Sequence, residues 1–285
     1  MAIITLSTDI GTSDFIIGAF KGQLLTSGAT GPVVDLTHQL SSSNFAEVAY
    51  ICNNAFHYYP EETIHIIITS LFEYADAHFL IARFNKQYII CPDNGILTMI
   101  THQTPLEVFK IQVSDQQERT TMTLLGHYAR AAAQLSKGRY PIQIAEKCMG
   151  FIERYPIRPT FGDDWIDGQI IFIDKFENVV VNISKEEFEA CRKGRSFAIT
   201  FGRNYASNQI SKISENYSNA NKDEYLASFN SAGLLELSIR GGNMAGLFGL
   251  QGFKEENQSV QQMLNSTPGG QKRNWFYQTI RIFFT

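Results

Sequence analysis

Residues 63–69 read TIHIIIT, β-branched at every position except His65. Side chains branched at Cβ favour extended backbone, and an apolar run without polar alternation makes a strand covered on both faces. Covering both faces of a sheet takes helices on each side, so this heptapeptide points to a layered α/β fold. The neighbouring sequence supplies the layers. Residues 3–7 predict a second buried strand, and residues 14–25 repeat apolar side chains at Ile16, Phe20 and Leu24, one face of a helix. Residues 33–36 predict a short strand, and Asn44 with Glu47 three residues on has the spacing of a capping box before an apolar helix. Residues 79–84 and 87–91 predict two strands separated by Asn85-Lys86. A short helix after PDNG, a strand near 108–111 and a helix near 126–135 complete the series. The expected N-terminal domain, residues 1–155, is a mainly parallel sheet flanked by helices.

The pattern changes beyond that point. Pro156, Pro159, Gly162, Asp163 and Asp164 predict a linker over 156–167. Residues 169–174, 179–183 and 196–200 are short apolar runs, so the expected second domain, 168–285, is smaller and mostly β. Residues 203–225 are polar and turn-rich and read as a surface excursion. A net charge of −4 without a dense Lys/Arg run argues against a nucleic-acid partner. No stretch approaches the roughly 20 apolar residues of a membrane span. The first residues lack a basic n-region, and Thr5, Ser7 and Asp9 interrupt their apolar stretch, so no signal peptide is expected. Cys52, Cys91, Cys148 and Cys191 stand far apart without a C-x-x-C pair and read as reduced core thiols of a cytoplasmic protein. The histidines are scattered without H-x-x-H spacing, so no metal is expected.

The first strand runs into STDIGTSD, residues 7–14. Three readings compete for this turn. Thr12, Ser13 or Asp14 caps the following helix. Alternatively the Gly-Thr backbone clasps a phosphate, as in actin-like and sugar kinases, whose fold requires a second such turn that this sequence lacks. In the third, Asp9 accepts both hydroxyls of a ribose at the carboxyl end of its strand, where ligands of α/β sheets sit.

Further segments bear on the choice. STDIGTSDFIIGAFKG is followed, in order, by VVDLTHQL, PEETIHIII, CPDNGILT, IIFIDKFENVVVNIS and NSAGLLELSIRGGNMAG. Together these resemble the S-adenosylmethionine (SAM) hydroxide adenosyltransferases, relatives of the SAM-dependent fluorinase and chlorinase. The resemblance implies a homotrimer whose ligand lies between the N-terminal domain of one subunit and the C-terminal domain of the next. It implies that Asp9 binds the ribose hydroxyls and Asp14 the methionine end. Asp174 and Ser231 match contacts to the amino-acid group, and Phe176 and Asn178 match residues around adenine. Asn243, Met244 and Ala245 match a loop at the adenine edge. The implied reaction displaces methionine at ribose C5′ with water or hydroxide, giving adenosine and L-methionine, with SAM as substrate and no cofactor.

The resemblance breaks at the residues that handle water in relatives. Ser70 stands at the family aspartate, and the family arginine falls near Ala77 or His78. TLLGHY, residues 123–128, replaces T-F-H-G-R-D, so Leu125 stands for the histidine and His127-Tyr128 for Arg-Asp. Gly126, retained, occupies the position of the fluorinase serine, which argues against halogenation. Glu177 interrupts the usual F-G-N. The remaining candidates for positioning water are Ser70, Glu73, His78 and His127, in segments expected to flank C5′ together with Gly126. The alternative function is a protein that binds SAM or adenosine without reaction.

Overall fold

The computed structural model describes residues 2–73, 78–113, 119–202, 208–252, 254–255, 275–276 and 278–285. The chain divides into two compact units, Met1–Pro156 and Ile157–Thr285.

The N-terminal unit is built on β1 (Ile4–Thr8), α1 (Ile16–Thr26), β2 (Val33–Thr37), α2 (Phe45–Phe56), β3 (Ile64–Ile68), β4 (Phe79–Phe84), β5 (Gln87–Pro92), α3 (Ile96–Thr101), β6 (Val108–Ile111), α4 (Thr121–Ser136) and β7 (Glu146–Lys147). Its sheet has the order β2-β1-β3-β5-β4-β6-β7. β1 pairs with β2 and β3 in parallel, and β3 pairs with β5 in parallel. Every residue of β1 and β3 is buried, as the apolar runs require. His65, the exception in the heptapeptide, accommodates burial through a 2.7 Å bond to the Thr5 hydroxyl and a stacked contact with Phe56 at 3.7 Å. Burial pushes its pKa down to about 4, so the ring is neutral at neutral pH.

The other half of the sheet is antiparallel, which makes the sheet mixed. The cause is the two-residue turn Asn85-Lys86, where φ is +49° and +61°. Two successive left-handed residues form the tight hairpin turn that matches strand twist, so β5 returns beside β4. Asn44 caps α2 by accepting from the Glu47 N–H at 3.3 Å. α4 begins at Thr121, five residues ahead of its expected start, because Thr120 and Thr123 form a reciprocal cap.

The C-terminal unit comprises β8 (Thr160–Phe161), β9 (Trp165–Ile173), β10 (Val179–Ser184), α5 (Lys185–Arg192), β11 (Phe197–Thr200), β12 (Gln209–Ile210), β13 (Tyr225–Phe229), β14 (Leu234–Ile239), α6 (Met244–Phe248), β15 (Lys254–Glu255), β16 (Trp275–Phe276) and β17 (Thr279–Phe284). Its principal sheet runs β12-β11-β17-β9-β10-β14-β13 with antiparallel pairing throughout, and β8 pairs with β9. Residues 156–167 thus carry β8 and the start of β9. Of the expected excursion, 203–207 lie outside the described residues, while β12 bonds to β11.

Candidate functional site

Ligands of α/β sheets collect at the carboxyl ends of parallel strands, and here β1 and β3 end side by side. Asp9, the first residue beyond β1, donates its backbone N–H to the Ile68 carbonyl at 3.0 Å. Its side-chain Oδ2 accepts the Ser70 backbone N–H at 2.8 Å. Burial pushes the Asp9 carboxyl above its ordinary pKa, opposed by the backbone bond from Ser70. Ser70 adopts φ +49°, and Thr69 donates its hydroxyl to the Ser41 carbonyl at 3.0 Å. The Ser70 hydroxyl donates to the Ser42 carbonyl. Asn94, from the PDNG segment, donates to the Thr69 carbonyl at 3.0 Å. The loop after β3 is therefore bonded on both flanks.

These residues open on a cavity of about 370 Å³. Asp9, Ser70, Glu73 and Thr121 form its polar wall, and Ile10, Ile16, Ile68, Leu71 and Phe72 its apolar wall. A small-molecule site has this composition: mostly apolar surface with a few convergent polar groups. Glu73 pairs with Arg154 at 2.9 Å. Asp14 is exposed, with its carboxylate on the Phe15 N–H at 2.5 Å, and α1 begins without a side-chain cap.

α4 contributes Thr121 to the cavity wall, and its other candidates face elsewhere. A Cβ on Gly126 would meet Arg130 Nη1 at 3.4 Å and Gln23 Nε2 at 3.8 Å, so that position faces α1. The His127 ring lies 6.4 Å from Phe79 on β4, and its Nε2 has no hydrogen-bond partner. Burial and the Arg130 charge lower its pKa. Neither residue joins Asp9, Ser70 and Glu73, because helical spacing turns Leu124, Leu125 and Tyr128 into the core instead. The His78 carbonyl accepts the Asp93 N–H at 2.8 Å. Ala77 lies outside the described residues.

Sequence reasoning missed Arg154. It stands in a segment without periodicity, 81 residues from its partner in the chain. One signal existed, the glycine of PDNG. Gly95 has φ +94°, and a Cβ there would meet Arg154 Cγ at 2.4 Å.

In the C-terminal unit the expected ligand residues form one turn. Asp174 Oδ1 accepts the N–H groups of Phe176 at 2.8 Å and Asn178 at 2.9 Å, and Oδ2 accepts Asn178 Nδ2 at 3.0 Å. Glu177 takes φ +64°, the conformation that a glycine supplies more readily. Its carbonyl accepts the Ala245 N–H at 3.0 Å, tying the two expected adenine segments together. Asn243 caps α6 through the Gly246 N–H at 2.5 Å, while Met244 and Ala245 are buried in the core. Phe176 is 64% exposed, and Ser231 is exposed in a separate turn held by Asn230. Burial raises the pKa of Glu236, opposed by bonds from Asn230 and Ser238 and reinforced by the Asp174 charge. Among the described residues no group of three or more His, Cys, Asp or Glu is placed to hold a metal ion.

The N-terminal domain profile of the SAM hydroxide adenosyltransferases matches residues 4–145, and the C-terminal domain profile matches 168–255. An (R)-S-adenosyl-L-methionine hydrolase of Methanocaldococcus jannaschii is 24% identical over 192 residues, covering 65% of this chain and 68% of that protein. Among solved structures, an uncharacterized conserved protein from Thermotoga maritima matches with a TM-score of 0.77 at 18% identity, over 99% of both chains. A conserved hypothetical protein from Thermus thermophilus matches with a TM-score of 0.70 at 18% identity, over 100% of both. At such identities the two structures speak for the fold.

Proposed function

The chain belongs to the SAM hydroxide adenosyltransferase family, and from that membership we propose that it binds SAM and hydrolyses it at ribose C5′ to adenosine and L-methionine. Asp9 carries the reading. A partly buried carboxylate lines a cavity of about 370 Å³ and accepts the Ser70 backbone N–H, with the Thr69 side chain a further partner. An ionised carboxylate has about four acceptor sites, so enough remain for two ribose hydroxyls. The apolar wall excludes bulk water from the reacting carbon. The sulfonium leaves as a neutral thioether and needs no acid, so the chain's task is alignment of a water in a dry site.

The other residues take their roles from the family. Asp14 serves the methionine end, and Asp174 and Ser231 the amino-acid group. Phe176, Asn178 and the backbone of Asn243, Met244 and Ala245 serve adenine. The reacting water sits against Ser70 and Glu73, with Gly126 and His127 outside that shell. The ligand is shared between subunits of a cytoplasmic homotrimer, with neither nucleic acid nor membrane as partner. The exposure of Phe15 at 71%, Phe72 at 58% and Phe176 at 64% supports an assembly that covers these rings. No described helix is long and apolar enough to cross a membrane.

A second reading, binding without turnover, is favoured by two observations. The Ser70 hydroxyl is engaged by the Ser42 carbonyl, and Leu125 is fully buried and apolar where the family histidine stands. Incubation with SAM separates the two. Stoichiometric release of adenosine and methionine, followed by chromatography, supports hydrolysis. Adenosine binding by calorimetry without product supports the second reading. Unchanged adenosine affinity in Asp9→Ala removes the basis of both.

A further inference from the structure

The arginine that relatives carry after β3 has no counterpart at Ala77 or His78, yet a guanidinium reaches the same loop from another part of the chain. Residues 148–156 form a strap across the N-terminal unit. The Cys148 N–H donates to the Val108 carbonyl at 2.8 Å, and the Ile152 N–H to Asp93 Oδ1 at 2.8 Å. At Arg154 the strap is fastened twice to α3: its N–H donates to Thr98 Oγ1 at 2.9 Å, and Thr98 Oγ1 donates to its carbonyl at 2.6 Å. The side chain then runs over Gly95, where a Cβ would meet Cγ at 2.4 Å and Cδ at 2.7 Å. The guanidinium lies 4.9 Å from the Phe45 ring centroid, a cation–π contact, and donates from Nη2 to Glu73 Oε1 at 2.9 Å. Glu73 lines the cavity that holds Asp9.

A planar guanidinium fixed at backbone, stem and ring is a rigid mount for the carboxylate it binds. The geometry points to Arg154 as a positioning residue. It holds Glu73 at the wall of the Asp9 cavity, and Glu73 takes the proton of the attacking water. This assignment rests on the hydrolytic reading. In the step, the water oxygen forms a bond to C5′ while the C5′–S bond breaks. The bonding pair goes to sulfur, which leaves as the thioether of methionine. The water proton passes to the Glu73 carboxylate and from there to solvent. Atoms and charge balance: the sulfonium cation and water give adenosine, methionine and a proton.

The test uses the full chain with SAM, adenosine calorimetry and thermal melting on every variant. Glu73→Gln is expected to lower kcat roughly 100-fold. Arg154→Met is expected to lower it roughly 10- to 100-fold with KM and adenosine affinity within about twofold of wild type. Arg154→Lys is expected to recover part of the loss. The Arg154→Met/Glu73→Gln double variant is expected to be no slower than Glu73→Gln alone, because Arg154 acts through Glu73. A merely structural Arg154 gives multiplicative losses in the double variant, and that result overturns the proposal. So does wild-type kcat in Arg154→Met, or a loss confined to KM. If Arg154→Met does not fold, Arg154→Lys alone and with Glu73→Gln completes the cycle by the same criterion. Turnover in wild type with no effect of these changes sinks this assignment and leaves the hydrolytic reading standing. Absence of turnover in wild type sinks both.

Discussion

Asp9 and Asp174 both close a strand, and both are expected to grip the same ligand, yet their surroundings differ. Asp174 receives three hydrogen bonds from its own turn, two from backbone and one from Asn178. It shapes the β9–β10 connection before any ligand arrives. Asp9 accepts the Ser70 backbone N–H, with lesser contributions from its own backbone and the Thr69 side chain, and is partly buried with a cavity in front of it. Burial costs its carboxylate more than these hydrogen bonds return, which raises its pKa. A site acid that is saturated by its own fold contributes shape and field. An acid whose burial outweighs its hydrogen bonds has more to gain from a ligand, the role proposed for Asp9.

Removing each acid sharpens this contrast. Asp9→Ala is expected to weaken adenosine binding more than 100-fold, since two charge-assisted bonds at about 1.5–3 kcal/mol each disappear. Melting temperature should barely move. Asp174→Ala is expected to do the reverse: a loss of about 2 kcal/mol of stability as three turn bonds go, read by denaturant titration. Equal losses of stability in the two variants would erase the distinction.

Gly95→Ala comes next in size. The left-handed backbone costs about 1–2 kcal/mol with a Cβ present, and the new methyl carbon would sit 2.4 Å from Arg154 Cγ. Displaced stability with unchanged turnover would show that the Arg154 stem has room to shift without consequence for Glu73.

The same contrast explains what was legible beforehand. Strand burial was, because isoleucine runs such as 66–68 admit no solvent face, and the Asn44–Glu47 spacing located the start of α2. The mixed sheet was less so. Asn85-Lys86 lacks the glycine that usually announces a tight hairpin turn, although both residues take positive φ. β7 has two residues, too few for any periodicity. The place of Asp9 at the carboxyl end of β1, on a cavity wall, was legible through its strand and motif. Arg154 was not, since a guanidinium delivered by an irregular strap leaves no pattern, and only Gly95 hinted that something passes close. Gly126 and His127 were drawn toward the site by motif alignment, whereas helix phase directs them to α1 and to Phe79.

The smallest effect is the most specific to Asp9. Asn at this position keeps an acceptor for the Ser70 N–H and removes the charge. Because burial raises the carboxyl pKa in the folded protein above its value in the unfolded chain, protonated Asp9 favours the folded state. That contribution is fully present below the unfolded pKa and is lost as pH rises through the folded pKa. The stabilities of wild type and Asp9→Asn, followed by denaturant titration in parallel across pH, are therefore expected to lie closest below the ordinary carboxylate range. As pH rises, wild type should fall relative to the variant. Adenosine affinity of wild type should run the other way, since the ionised carboxylate is the form that accepts both hydroxyls: weak at low pH, strong once Asp9 has lost its proton. One group thus drives stability down and binding up over the same interval. A wild-type protein that gains on Asp9→Asn as pH rises would show that the carboxylate is better satisfied than its surroundings indicate, and would make Asp9 a structural acid of the same kind as Asp174.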